Sequence, residues 1–268
     1  MITKKRAALD GFQLDEAHEA VVIHGIETGD GKENISAVSS AAGDGQRVTS
    51  ARRDTVDVVI RVGLDIKKTD LQARAEALEA VNAWAARAAR GAWLTAEHKP
   101  GRRLRVRLAQ APGEGDLWAW TNEFKITLRA YENPYWEDEA ESTAEIGSGG
   151  VAAGSFLVEG SGPAEPGVEM LNISGAEIKR IESIQIGTRK MGFTGLGMQA
   201  GEALVIDTGE TGLLRIRIRS VYGEFRSALA ARTPESDDLF SVLPGTVAAS
   251  FRCERACRMT VGWRCRYL

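Results

Sequence analysis

The chain has little of what surface chemistry usually needs. Of its 268 residues, three are histidine and three are cysteine. His18, His24 and His98 lie far apart, and only His18 and His24 are near enough in sequence to meet. There is no His-Glu-x-x-His pair, no Gly-x-Ser-x-Gly elbow, no Walker loop, and no Gly-x-Gly-x-x-Gly after a strand. Gly192, Gly195, Gly197 and Gly201 have the wrong order to cradle a phosphate, and they read as turn glycines. No catalytic residue, cofactor or metal site is expected. No stretch approaches the ~20 apolar residues that a membrane helix needs. The net charge is −3, and the cations are mostly arginine, scattered without a block, which argues against a nucleic-acid-binding field. Met1 to Arg6 is basic but runs into Leu9-Asp10-Gly11 with no apolar core, so no signal peptide is expected and synthesis in a cytoplasm is.

What the chain does have is alternation. Near its end Val247, Ala249, Phe251 and Cys253 share one parity, and Cys257, Met259, Val261, Trp263, Cys265 and Tyr267 continue it. The other parity carries Arg252, Arg258, Thr260, Arg264 and Arg266. Side chains alternate faces along a strand, so the pattern predicts one apolar and one cationic face. Glu254-Arg255-Ala256 reads as the turn of a terminal β-hairpin that anchors the chain end. The three cysteines fall on the apolar face, where cysteine acts as a small hydrophobe. A bond between Cys253 and Cys257 across the turn stays open, because the residues can sit opposite each other.

Upstream, 20–24 reads as a short strand and 41–45 as a loop tip. Val56, Val58, Ile60 and Val62 form a clear strand face, with Asp57 and Arg61 opposite. Thr69 and Gln72 look like a capping box opening one helix over 70–90, with an apolar line of Leu71, Ala75, Leu78, Val81 and Ala85, and Gly91 as its stop. Leu104, Val106 and Leu108 alternate with arginines. After a loop at 111–115, Trp118, Trp120, Phe124, Ile126 and Leu128 form the next apolar stripe. At Asn133-Pro134-Tyr135-Trp136 the pattern stops. The acidic run Glu137, Asp138, Glu139 and Glu141 then leads into Gly147-Ser148-Gly149-Gly150, which reads as a solvated boundary between domains 1–136 and 137–268. Short strands at 155–159, 181–186, 203–206 and 213–218, with turns every 8–12 residues, complete the pattern.

The expected fold is mainly β: an N-terminal sandwich-like α+β domain with one helix, then a C-terminal antiparallel β-sandwich. In the second half Phe193, Tyr222 and Phe225 are the loop aromatics available as a sugar platform.

The order of these features resembles the distal tail proteins of long-tailed bacteriophages. The residues that carry the likeness are Asn133-Pro134-Tyr135-Trp136, the run 239–247 (Leu-Phe-Ser-Val-Leu-Pro-Gly-Thr-Val) and Arg52-Arg53-Asp54-Thr55-Val56-Asp57-Val58. Thr246 stands where the family commonly has Asn. The resemblance spans the chain through short motifs in a fixed order. It implies a virion protein without chemistry, whose first domain forms a hexameric ring at the tip of the tail tube. The second domain, galectin-like or carbohydrate-module-like, would project outward. Implied partners are further copies of the chain, the tube protein above, the hub or fibre protein below, and the tape-measure protein in the lumen. Arg258, Arg264 and Arg266 are then candidates for a partner-contact face. The alternative is a carbohydrate-binding adhesin of a tail or baseplate, for which the loop aromatics would have to converge on a groove.

Overall fold

A computed structural model describes residues 6–31, 33–39, 46–67, 69–112, 123–209 and 213–268. Trp118, Trp120 and the expected loop tip at 41–45 lie outside the described residues. The chain divides into two compact units, Met1–Trp136 and Glu137–Leu268.

In the first unit the strands are β1 (Ala7–Leu9), β2 (Phe12–Gln13), β3 (Val21–Thr28), β4 (Glu33–Ser39), β5 (Gln46–Arg53) and β6 (Val56–Leu64). The helix α1 (Leu71–Ala86) follows, then β7 (Ala92–Ala96), β8 (Arg102–Gln110) and β9 (Glu123–Ala130). Seven strands make an antiparallel sheet in the order β2-β1-β7-β8-β9-β6-β3, and β4 and β5 pair as a separate hairpin. The alternation of β6 dictates its place: Val56, Val58, Ile60 and Val62 are all buried, while Asp57 and Arg61 stay outside. Asp57 sits opposite Arg129 of β9 and takes both its Nε and Nη2, and Arg61 pairs with Glu27 of β3 at 2.7 Å. Cross-strand pairs of opposite charge thus tie β6 to both its neighbours, β9 and β3.

The helix ends in a 3-10 turn, Arg87–Arg90, and stops at Gly91, so helical structure fills the expected span. Its cap and face differ from expectation. Asp70, not Thr69, caps it, accepting from the N–H of Ala73 at 3.1 Å. Ala77, Leu78, Val81, Trp84, Ala85 and Ala88 are buried, whereas Leu71 is 60% exposed and Ala75 also faces out. The indole of Trp84 is the largest apolar group on the helix, and its Nε1 donates to the Phe12 carbonyl at 2.7 Å. Burying that group and satisfying its donor sets the rotation, at the expense of Leu71.

β10 (Trp136–Asp138) carries the junction. Trp136 is buried and meets His98 edge-on at 5.7 Å. Glu137 is buried too, so the acidic run is solvated only in part: Asp138 is half-buried, and Glu139 and Glu141 are exposed.

The second unit holds β11 (Ser142–Val158), β12 (Gly167–Asn172), β13 (Ile178–Ile186), β14 (Arg189–Met198), β15 (Ala203–Asp207), β16 (Arg215–Arg219), β17 (Phe225–Ser227), β18 (Gly245–Trp263) and β19 (Arg266–Tyr267). The ladder runs β14-β13-β18-β12-β15-β16-β17, with β11 along the other side of β18. Two expectations fail here for one reason. The terminal segment is not a hairpin: β18 runs in a single direction through 254–256, antiparallel to β11 along its length. Glu-Arg-Ala supplies none of the Gly, Asn or Asp that a tight reversal requires. Nor is Gly147 to Gly150 a linker, since it lies within β11.

Both strands bend together at this place. Four residues of β18, 253 to 256, stand opposite Gly150 alone. Before this corner β18 pairs with β13, and after it with β12. Gly147 adopts φ +147°, and Gly154 lies so near Ile146 that a Cβ would come 3.1 Å from its carbonyl oxygen. Phe156 and Trp263, which belong to opposite ends of the β11–β18 ladder, stack at 4.5 Å. The ladder therefore folds over on itself, and the two halves face each other across one core that includes Met170, Ile184, Phe193, Phe251 and Met259. This is the antiparallel β-sandwich, made from two long strands that serve both sheets.

The glycines read as turn residues are a further correction, because Gly192, Gly195 and Gly197 lie inside β14 and only Gly201 sits in a turn. Opposite Gly195 to Gly197 the β13–β14 register slips, so they serve a bulge.

Candidate functional site

Among the described residues no group of three or more His, Cys, Asp and Glu is placed to hold a metal ion. The Nδ1 of His18 accepts the N–H of Ala20 at 3.2 Å, and His24 lies 3.9 Å from Glu123. Among the described residues no helix is long and apolar enough to cross a membrane. The candidate positions therefore lie on the surfaces of the two units.

The most ordered of these is the outer face of the second sandwich. Along β16, Ile216 and Ile218 point into the core, so Arg215, Arg217 and Arg219 point out. Arg217 pairs with Asp207 of β15 at 2.6 Å, and Arg219 reaches Glu169 of β12 at 2.6 Å. On β17, Arg226 clamps Glu202 through Nη1 at 2.6 Å and Nη2 at 2.7 Å, and the N–H of Gln199 donates to the same carboxylate. Glu202 is only 8% exposed. The Arg226 hydrogen bonds, ahead of the Gln199 N–H, outweigh burial and hold its carboxyl below the usual carboxylate range. These pairs leave a face whose charges cancel locally, flat and polar.

One end of that face is apolar. The turn between β16 and β17 is tied by Ser220, whose Oγ accepts the N–H groups of Tyr222 and Glu224. Tyr222 projects from it at 90% exposure, beside exposed Val221. Phe225 is 50% exposed, with the Arg217 guanidinium 4.4 Å over its ring. The third candidate aromatic is corrected: Phe193 is fully buried in the core and offers no platform. The glycines around it mimic a loop in the sequence and hide β14. A polar cleft on the sandwich, lined by Arg180, Glu182, Lys190, Thr194, Thr233 and Ser236, has no aromatic wall.

The basic residues of the last strands separate into two kinds. Arg264 donates to the Glu139 carbonyl and lies 3.9 Å from both Glu137 and Glu141. Arg266 pairs with Glu165 at 2.9 Å and donates to the Pro163 carbonyl. These two fasten the unit's own segments together. Arg252 stands 3.8 Å from Glu182, and Arg258 is exposed between β11 and β12. Of the three residues of the expected contact face, Arg258 is exposed, while Arg264 and Arg266 are half-buried.

The first unit presents stacked cations. Trp93 lies under Arg103 at 3.9 Å and Arg105 at 5.4 Å, and Arg87 covers Phe12 at 3.6 Å. Neither the alternation nor any motif signals these stacks, since they join residues from different elements.

No family model matches the sequence, and no curated protein matches it. Among solved structures the chain is similar to the Dit protein (gp 19.1) of phage SPP1, described as a paradigm of the hub adsorption apparatus in phages that infect Gram-positive bacteria. The match covers 98% of this chain and 99% of that one, with a TM-score of 0.71 at 14% identity. A chain of the phage P2 baseplate in its activated, calcium-bound conformation aligns over 97% and 98% at a TM-score of 0.45 and 7% identity, too distant to add weight. Along nearly its whole length, then, this chain has the fold of the SPP1 Dit protein.

Proposed function

We propose that this protein is a structural component of the tail tip of a long-tailed bacteriophage or prophage. In this reading the first unit, Met1–Trp136, assembles into a ring of six at the end of the tail tube. The second, Glu137–Leu268, projects outward as a galectin-like sandwich. The ring joins the tube protein to the hub or fibre protein, and the tape-measure protein passes through it. The role is non-enzymatic, and the protein resides in the virion. The observation that carries the reading is the agreement with the SPP1 Dit fold over both units and both chains' full lengths. A ring of this kind requires a head-to-tail interface that closes on itself.

The sugar-binding alternative keeps Tyr222 and Phe225 on one hairpin but loses Phe193 to the core. Two aromatics without a groove make a weak hexose platform. Gold-labelled antibody against the chain, applied to particles of the phage that encodes it, tests the location. Label at the distal end of the tail supports the proposal; label on heads, or none on intact tails, contradicts it.

A further inference from the structure

The corner of β18 brings two thiols together. In an extended strand, residues four apart are separated by about 13 Å. Cys253 and Cys257 instead stand with their Sγ atoms 3.5 Å apart, because the four residues 253 to 256 are gathered opposite Gly150. Both are free thiols, packed at the base of a corner whose Glu254 and Arg255 are exposed. A disulfide places its sulfurs about 2.05 Å apart, so these two sulfurs stand roughly 1.5 Å beyond bonding distance. We infer that Cys253 and Cys257 are an oxidation site, forming an intrachain disulfide when the protein meets a peroxide-class oxidant.

The two sulfurs are not equivalent. Cys257 donates its S–H to Cys253, and the backbone N–H groups at Arg255 and Glu254 add to that bond, so the Cys253 thiolate is favoured while the Cys257 thiol is pushed up. Cys253 is also the one of the two that retains some exposure, 6% against 0% for Cys257, which makes it the attacking sulfur. Its thiolate bonds to one peroxide oxygen as the O–O bond breaks; the departing hydroxide takes a proton, leaving a sulfenic acid and water. The Cys257 sulfur then attacks Cys253, the S–O bond breaks, and the oxygen leaves as a second water with the remaining protons. Two thiols and one peroxide become one disulfide and two waters. Cys265 has separate surroundings, near Asp138 and the Glu159 backbone, and is left reduced.

The bond ties the half of β18 paired with β13 to the half paired with β12, so it locks the fold-over of the sandwich. Its use rests on the tail-tip reading: a virion assembled in a reducing cytoplasm is released into an oxidising exterior, where such bonds persist. The chemistry itself is testable without that reading. Reduced full-length protein is treated with hydrogen peroxide, unfolded, alkylated with iodoacetamide and digested with trypsin. Cleavage after Arg252, Arg255 and Arg258 leaves each cysteine on its own tripeptide. Expected are peptides 253–255 and 256–258 joined, separable by dithiothreitol, with Cys265 alkylated. The oxidised protein should melt a few degrees above the reduced one. In Cys257→Ser, which keeps a donor beside Cys253 but cannot form the disulfide, dimedone should trap a sulfenic acid on Cys253. Alkylation of both tripeptides after oxidation overturns the inference, as does linkage to Cys265 or to a second chain. A protein that bonds but assembles no ring overturns only the tail-tip reading, and a ring without the bond overturns only this one.

Discussion

Glu202 shows how a single residue decides local stability. Its carboxylate is nearly excluded from solvent and takes both Nη atoms of Arg226. Arg226→Ala strands that charge, and should lower unfolding free energy by about 2–3 kcal/mol, as for a buried group left without a charged partner. The exposed pair Arg107–Glu132 provides the contrast, and Arg107→Ala should cost no more than about 1 kcal/mol. Urea unfolding of both variants checks the difference; equal effects would contradict it. The same chemistry sets the acid limit. Arginine hydrogen bonds lower the folded pKa of Asp57 and Glu202, while backbone N–H groups do so first for Asp237 and Glu254. A depressed folded pKa means the unfolded chain binds more protons, so this stability is present above the unfolded values near 4.5 and 3.8 and is lost as pH falls below them. Tm should fall steeply below about pH 4.5 in the native protein and less steeply in Glu202→Gln, which has no proton to gain. None of these partnerships is legible in sequence: Glu202 and Arg226 are 24 residues apart and meet only after β15, β16 and β17 pair. Arg258 is the exposed cation that we propose for a partner contact. Arg258→Glu should leave Tm nearly unchanged but weaken assembly, read as a smaller assembled fraction in sedimentation; full assembly would remove Arg258 from the interface.

At the level of elements, the strands that alternate cleanly declare themselves. β6 and the two halves of β18 were readable from Val56, Val58, Ile60 and Val62 and from the run of buried odd positions after 247. The direction of β18 was not, because alternation fixes the face of a residue and says nothing about its partner strand. The same limit concealed β11 and β14, whose glycines mimic turns. Those glycines bend or bulge a strand without ending it. Gly147 takes a φ that L side chains rarely adopt, and an added Cβ would sit 2.9 Å from that of Ala152. Gly147→Val should therefore cost about 1–3 kcal/mol from backbone strain, plus the clash. Circular dichroism should still show a folded β protein, with a lower midpoint in denaturant. A variant as stable as the parent would mean that the corner is not tightly built.

For the whole molecule, the physical content of the sequence reached the fold class and stopped short of the assembly. The apolar stripes, the helix over 70–90 and the break at Asn133-Pro134 all report on packing within one chain. A charge-balanced face emerges only after residues distant in sequence, such as Glu169 and Arg219, are placed side by side. The ring is the central claim, and its stoichiometry is directly measurable. Native mass spectrometry of the purified protein, alone and with its tube protein, combined with negative-stain microscopy, reads it. Expected is a species six times the 28.9 kDa chain, seen as a ring with a central hole. A protein that stays monomeric at high concentration and in the presence of the tube protein would contradict it.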